Sequence, residues 1–211
     1  FLSDDLSGFP VRILKDAISD GVPYKDMLIT PEHCLIFNEQ FIPVRMLVNG
    51  RSIFYDKSIT SYDYYHIETE QHSIIKADGM LTESYLDTGN RNSFRHNGNV
   101  VSIGHRHVLS WQDDAAATLT VERETVEPIF HSLNKRSHFV APDSTLSAPT
   151  LTDNPDLYLL TDKGQIIRQA RASDSHAVFM LPAGADNVRI VSRVNRPSDT
   201  IGPFVDDRRT L

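Results

Sequence analysis

The sequence is poor in cysteine, in long apolar runs and in positive charge. Its single cysteine, Cys34, excludes a disulfide within the chain. No apolar run approaches the roughly 20 residues that a transmembrane helix needs, so no membrane span is expected. The 21 Lys and Arg residues are outnumbered by 28 Asp and Glu, which gives a net charge of −7. Because nucleic-acid-binding domains usually present a basic face, nucleic acid is not expected as a partner.

The 211 residues are 40% hydrophobic and 23% charged, an ordinary globular balance that allows one or two domains. The chain lacks an initial methionine and a signal peptide, so we expect a processed or trimmed amino terminus. Short apolar or alternating runs separated by turn pairs such as Asn38-Glu39, Asn49-Gly50 and Asp78-Gly79 predict a mainly β fold. The predicted strands of this part are 27–37, 41–47, 52–55, 63–70, 73–77 and 80–85.

The second half of the chain predicts one helix and then more strands. Apolar residues at helical spacing predict a helix over 125–136, with Thr125 as its cap and Pro128 in its first turn. Beyond a proline-containing linker over 141–155, strands are predicted at 157–161, 165–171, 177–181 and 187–194. In the last run Val188 and Ile190 alternate with Arg189 and Arg193, as on a half-buried antiparallel sheet. The predicted domains are therefore 1–95, a connecting segment 96–150 and a small antiparallel β unit, 151–211.

A polar segment, Thr30-Pro31-Glu32-His33, interrupts the apolar run of residues 28–36. Proline fixes its own φ and favours an extended conformation for Thr30, so the segment is stiff. Thr30 and His33 could then face one site. A lone Thr-x-x-His is a weak motif, and the alternative is that Thr30 caps a turn and His33 is a structural core histidine.

Several further blocks follow in a fixed order: residues 10–13 (PVRI), 21–33 (GVPYKDMLITPEH), 42–50 (IPVRMLVNG), 65–72 (YHIETEQH), 77–79 (ADG) and 83–91 (ESYLDTGNR). Their order resembles the second half of a Hint domain, the hedgehog/intein module, and is closest to a bacterial subfamily. The similarity runs over 10–94. It implies a curled β fold, incomplete at its amino terminus, followed by a helix and a small antiparallel sheet or sandwich.

The resemblance also implies a chemistry, autocatalytic cleavage through an N-to-S or N-to-O acyl shift. His33 would hydrogen-bond the amide at the scissile bond and protonate the departing nitrogen, and Thr30 would help to hold that geometry. His72 would assist acyl transfer, or else cap backbone groups in a turn. No cofactor and no metal are expected.

Two parts of the family pattern are missing from this sequence. The opening block, which carries the Cys or Ser nucleophile of the family, is absent. The carboxyl-terminal His-Asn pair of the family is absent too, and after Gly79 the chain reads Met-Leu-Thr-Glu-Ser. We therefore expect this chain to be inactive alone, with its own upstream segment or precursor as partner. The resemblance slightly favours a secreted or cell-surface location. The alternative function is a degenerate Hint scaffold that binds a glycan or a partner protein without catalysis.

Several other polar, sulfur-containing and aromatic residues have both a structural and a functional interpretation. Cys34 follows His33 directly, and neighbours on a strand face opposite sides, so a buried inert thiol is expected. His66 is expected to be structural. His105 and His107, with His96 and Asp113 or Asp114, are expected to be solvated, and zinc binding is the alternative. Trp111 and Tyr158 would form the platform if a sugar were bound.

Overall fold

The structure is a computed structural model that describes residues 8–90, 108–144, 152–173, 176–193 and 196–207. The chain divides into two compact units. The first comprises Phe1–Leu146 and Ile201–Leu211, and the second Ser147–Thr200. In the described ranges no helix combines the length and apolar character that crossing a membrane requires. The predicted three-part division into 1–95, 96–150 and 151–211 stays a prediction.

The first unit is built from two antiparallel-rich sheets and one long helix. The strands are β1 (Val11–Ile13), β2 (Met27–Ile29), β3 (Cys34–Phe37), β4 (Gln40–Pro43), β5 (Ile53–Tyr55), β6 (Ile74–Ala77), β7 (Met80–Glu83) and β8 (Thr118–Leu119). One sheet has the order β2-β1-β5, and the other has the order β6-β7-β3-β4-β8, in which β8 runs parallel to β4. The mainly β fold class predicted from the sequence is confirmed, and it is consistent with a Hint-like fold.

Two hairpins form where the turn residues indicate them. Asn38 and Glu39 both have positive φ, 48° and 63°, and they join β3 to β4. Asp78 (φ 49°) and Gly79 (φ 92°) join β6 to β7 in the same way. Such two-residue connections match the right-handed twist of the strands, so register follows from the turn.

The single strand predicted over 27–37 is wrong. It is two strands in different sheets, β2 paired with β1 and β3 paired with β4 and β7. The four residues from Thr30 to His33 form the turn between them. The carbonyl groups of Pro31 and His33 bond to the backbone N–H groups of Arg45 and Val44 instead of to a neighbouring strand.

The strand predicted over 63–70 is also wrong. These residues form no ladder, and Tyr65 and Ile67 are 84% and 60% exposed. Residues two apart in this segment do lie on one side, but they contact each other through their rings and not through a sheet. The Tyr64 and His66 rings meet edge to face with centroids 5.5 Å apart. A backbone hydrogen bond from the Tyr85 N–H to the Ile67 carbonyl ties the segment to the residues that follow β7.

The predicted helix is present and longer than expected, as α1 (Arg123–Val140). Its N-cap is Glu122, without a side-chain bond, so the assignment of Thr125 as cap is wrong and Pro128 lies inside the helix. The apolar stripe packs as predicted, with Val126 and Leu133 buried in the core beside Met46 and Leu47. The latter two belong to a 3-10 turn, Val44–Leu47, which contacts α1.

The second unit contains short antiparallel strands. The strand β9 (Tyr158–Thr161) pairs with β10 (Ile166–Arg168) and β13 (Val188–Val191), and β11 (Arg171–Ala172) pairs with β12 (Ala177–Val178). A short helix, α2, covers Pro197–Thr200. The predicted buried face of the last strand is not observed: Val188 is 39% and Ile190 is 71% exposed. All four predicted runs thus contain strands. Among the described residues of this unit, the buried ones are Leu159, Thr161 and Ile167.

Candidate functional site

The Thr30–His33 turn is held from the backbone. The His33 N–H donates to the Thr30 carbonyl at 3.2 Å, which closes the turn. The Arg45 N–H donates to the Pro31 carbonyl at 2.8 Å, and the Val44 N–H donates to the His33 carbonyl at 2.9 Å. Because the 3-10 turn that supplies these donors packs on α1, the position of His33 is set by the core and not by a free loop.

This turn borders a cavity of about 450 Å³. The wall opposite the turn is rich in aromatic and hydroxyl groups. Its lining residues include Thr30, His33, Tyr62, Tyr64, His66, Glu83, Tyr85 and Trp111. Thr30 and His33 therefore face one space, as the motif predicted, and that space is large enough for a few residues of peptide. His72 is not part of this wall.

His33 is a neutral imidazole at neutral pH. Its side chain is 19% exposed, and burial lowers its pKa to about 4, with His66 and His72 acting in the same direction. Its Nδ1 lies 3.6 Å from Oε1 of Glu83. Since the ring is uncharged at pH 7, this contact is not an ion pair there. A neutral ring can take a proton at one nitrogen and give one from the other.

Glu83 is the residue that sequence reasoning missed. It ends β7 with a side chain only 9% exposed, and its Oε1 accepts the Cys34 N–H at 2.7 Å. Burial raises its pKa to about 7, although the bond from Cys34 opposes the shift. Hydropathy predicts the wrong buried residues on this strand. The apolar Leu81 is 47% exposed, whereas its polar neighbour Thr82 is 2% exposed.

His72 lies on the other side of Glu83 from His33. Its Nδ1 accepts the Ala116 N–H at 3.0 Å, so the ring proton is on Nε2, which faces the Ser84 carbonyl at 3.0 Å. The same Nε2 is 3.7 Å from Oε2 of Glu83. Burial lowers the pKa of His72, which keeps the ring neutral. This geometry is that of a histidine capping backbone groups, and its assistance in acyl transfer stays a prediction.

The environment of Cys34 is unsuited to a nucleophile. The residue is 1% exposed, and its Sγ donates weakly to the Glu32 carbonyl at 3.7 Å. Burial raises the pKa of the thiol strongly, and the nearby Glu83 and Glu32 carboxylates add to that effect. Thiolate is the reactive form of cysteine, so this side chain is inert in the fold.

The remaining candidates lie around the cavity or outside the described residues. The His66 ring is 6.2 Å from the His33 ring and 5.2 Å from that of Tyr85, centroid to centroid, and burial lowers its pKa. Trp111 packs edge-on against Phe41 and His72. His96, His105 and His107 fall outside the described residues. In the part of the chain that the structure describes, no three potential ligands converge as a metal would require.

The site thus contains a buried His-Glu-His arrangement beside a peptide-sized cavity, with one imidazole on the cavity wall. Comparison with known proteins adds one match: residues 3–89 fit the model of the Hint domain family. No curated protein and no solved structure is significantly similar to the chain. The matched residues include Thr30, His33, His72 and Glu83, in the order and spacing described above. Residues 3–89 of this chain are therefore a Hint domain.

Proposed function

We propose that this Hint domain is a self-processing module that acts on a peptide bond of its own precursor. The observation that supports it best is a neutral, core-anchored His33 on the wall of the cavity. In the reaction, the hydroxyl or thiol of a Ser or Cys adds to the carbonyl carbon of the preceding residue. The C–N bond then breaks, and an ester or thioester forms. The proton lost by the nucleophile ends on the departing nitrogen, and water or another nucleophile resolves the ester.

The electrostatics of His33 suit the proton transfer in this step. A pKa lowered to about 4 keeps the ring neutral at pH 7. A neutral imidazole can give the proton of one nitrogen to the amine nitrogen, which becomes basic as the C–N bond breaks, while its other nitrogen takes a proton. Positioned acid–base catalysis contributes typically about 10²- to 10⁴-fold, and a tethered nucleophile adds the advantage of proximity.

Thr30 and His72 have supporting parts in this proposal. The Thr30 carbonyl accepts the His33 N–H and fixes the turn, and its side chain borders the same cavity. His72 contacts the Glu83 carboxyl and not the cavity, so any contribution it makes to acyl transfer passes through Glu83. No cofactor enters the step.

The test uses the protein expressed from its native gene, with whatever precedes Phe1. Intact mass and amino-terminal sequencing are compared for the wild type, for His33→Ala and for His131→Ala. The last variant is the matched control, because the His131 side chain lies on α1 and is 60% exposed. We expect the wild type and the control to be cut and His33→Ala to remain whole. Hydroxylamine should accelerate cutting, because it attacks esters and thioesters but not ordinary amides.

A binding role without catalysis is the second candidate, and the surface of the second unit favours it. Met180, which follows β12, and Ile190, in β13, are 73% and 71% exposed, and a partner could cover apolar side chains of this kind. If all three proteins stay uncut, or all are cut alike, the Hint domain is a scaffold, and the search moves to a glycan or protein partner of that unit.

A further inference from the structure

A carboxyl group, that of Glu83, lies between the partly buried His33 and the buried His72. We propose that Glu83 is a positioning residue that sets the tautomer of His33. Ionised Glu83 accepts a proton donated by Nδ1 of His33, which leaves Nε2 as an acceptor. Protonated Glu83 donates to Nδ1, which makes Nε2 a donor toward the cavity. The tautomer part of the inference rests on the contact between Glu83 and His33 and on the effect of burial on the two groups, and its catalytic consequence rests on the proposed function.

The geometry selects His33 as the proton partner. Oε1 of Glu83 is anchored by the Cys34 N–H at 2.7 Å, and the same oxygen is 3.6 Å from Nδ1 of His33. The two atoms need to approach by only about half an ångström to lie within hydrogen-bond distance. The other ring, His72, cannot serve, because its Nδ1 already accepts the Ala116 N–H and its Nε2 carries the proton.

Every titratable group facing Glu83 in the described part of the chain can be assigned on this basis. His72 is a fixed N–H donor directed at the Ser84 carbonyl and at Oε2. The Cys34 thiol stays protonated because burial raises its pKa. His66 lies beyond His33, with its ring centroid 6.2 Å from that of His33. Nδ1 of His33 is therefore the one acceptor that these residues offer to a proton on the carboxyl group.

Burial also reverses the usual order of proton affinities in this pair. It raises the pKa of Glu83 to about 7 and lowers that of His33 to about 4. A single proton shared by the two groups thus stays on the carboxyl, and both groups are neutral between about pH 4 and pH 7. Ionisation of Glu83 then changes the tautomer of His33 without ever charging the ring.

The consequence for the acyl shift is a proton relay. In the protonated state Nε2 of His33 gives its proton to the departing nitrogen, and Nδ1 takes the proton of the Glu83 carboxyl group. Glu83 becomes a carboxylate. Nε2 of His33 then takes the proton lost by the nucleophile's hydroxyl or thiol, and Nδ1 returns its proton to Glu83, so both groups regain their starting state. One proton leaves the nucleophile and one arrives on the departing nitrogen, so the step balances without another reactant. The donor state of His33 is the one populated below the pKa of Glu83.

Nitrogen-15 NMR of the histidine rings tests the tautomer directly, in the 211-residue chain and without any cleavage. Between pH 5.5 and 8.5 we expect the protonated nitrogen of His33 to change from Nε2 to Nδ1, with a midpoint near pH 7. The ring should stay neutral throughout. His72 is the internal control and should keep its proton on Nε2. A His33 ring that keeps one tautomer over this range, or that becomes charged, overturns the proposal.

Two variants separate the role of Glu83 from a purely structural one. Glu83→Gln retains an acceptor for the Cys34 N–H but cannot titrate, so its His33 tautomer should not change with pH. Glu83→Asp still titrates and should restore the change. If the wild type shows the tautomer change but the native-gene protein is never cut, the positioning role stands and the proposed function fails. If cutting occurs but Glu83→Gln leaves its pH profile unaltered, the relay is wrong.

Discussion

Replacing Glu83 by glutamine should raise the free energy of unfolding relative to that of the wild type, and the difference should grow as the pH rises. The carboxyl group is 9% exposed, and its pKa rises from 4.5 to about 7 on folding because burial penalises the charged form. At about 1.4 kcal/mol per pH unit, this difference corresponds to roughly 3 kcal/mol of unfolding free energy. That is a large share of the stability of an ordinary domain.

The direction follows from where the proton resides. Between pH 4.5 and about 7 the native state keeps the proton of Glu83 and the unfolded chain does not. Stability from this group is therefore complete below pH 4.5 and is lost as the pH rises toward 7. Glutamine has no such loss. His33 acts in the opposite sense, because its lowered pKa removes stability as the pH falls from 6.5 toward about 4, but it is present in both proteins.

Urea unfolding at pH 5 and pH 8 measures the effect, with the fluorescence of Trp111, the single tryptophan, as probe. That ring packs against Phe41 and His72, so it reports on the site. The stability difference, variant minus wild type, should grow by about 2.5 kcal/mol between the two pH values, because part of the effect is already lost at pH 5. Glu127→Gln is the control: the hydrogen bond from Arg123 lowers the pKa of that partly exposed carboxyl, so its effect should be small and of opposite sign. A Glu83→Gln difference that is the same at both pH values would refute the reasoning.

Two further predictions concern buried groups near the site. His72→Ala strands the Ser84 carbonyl and the Ala116 N–H, and it should reduce the free energy of unfolding by about 1–3 kcal/mol for each group in the same urea assay; an unchanged midpoint would mean that water replaces the ring. Cys34 should be unreactive toward a thiol-specific disulfide reagent in the folded protein and fully reactive in urea, since it is 1% exposed with a raised pKa. Rapid labelling without denaturant would contradict its burial.

Local chemistry made parts of this fold predictable from sequence. The Asp78-Gly79 pair sets its own hairpin, because both residues tolerate positive φ and the strands beside them alternate correctly. Likewise, the apolar stripe that ends in Val126 and Leu133 needs only helical periodicity to be recognised. His33 is predicted as a site residue because a stiff proline turn and a series of ordered blocks point to it, and its catalytic role stays a prediction.

The missed features depend on contacts between distant parts of the chain. Glu83 is buried because β7 pairs with β3, where Leu35 faces Thr82, and no local pattern reveals that pairing. The polar run of Thr82, Glu83 and Ser84 resembles a solvent-facing strand end. The same limit explains residues 63–70, which alternate like a strand but have no neighbouring strand to pair with. Alternation predicts a face, whereas pairing decides whether a strand exists.

The 3-10 turn over Val44–Leu47 has a consequence for how the domain can be handled as a unit. The family match ends at residue 89, yet the turn that fixes His33 packs on a helix that begins at Arg123. The Ala116 N–H, which fixes the His72 ring, also lies beyond the match. The matched region is thus shorter than the part of the chain that holds the site together. Moving this region into another protein with its site intact therefore requires the segment through Val140 to be moved with it.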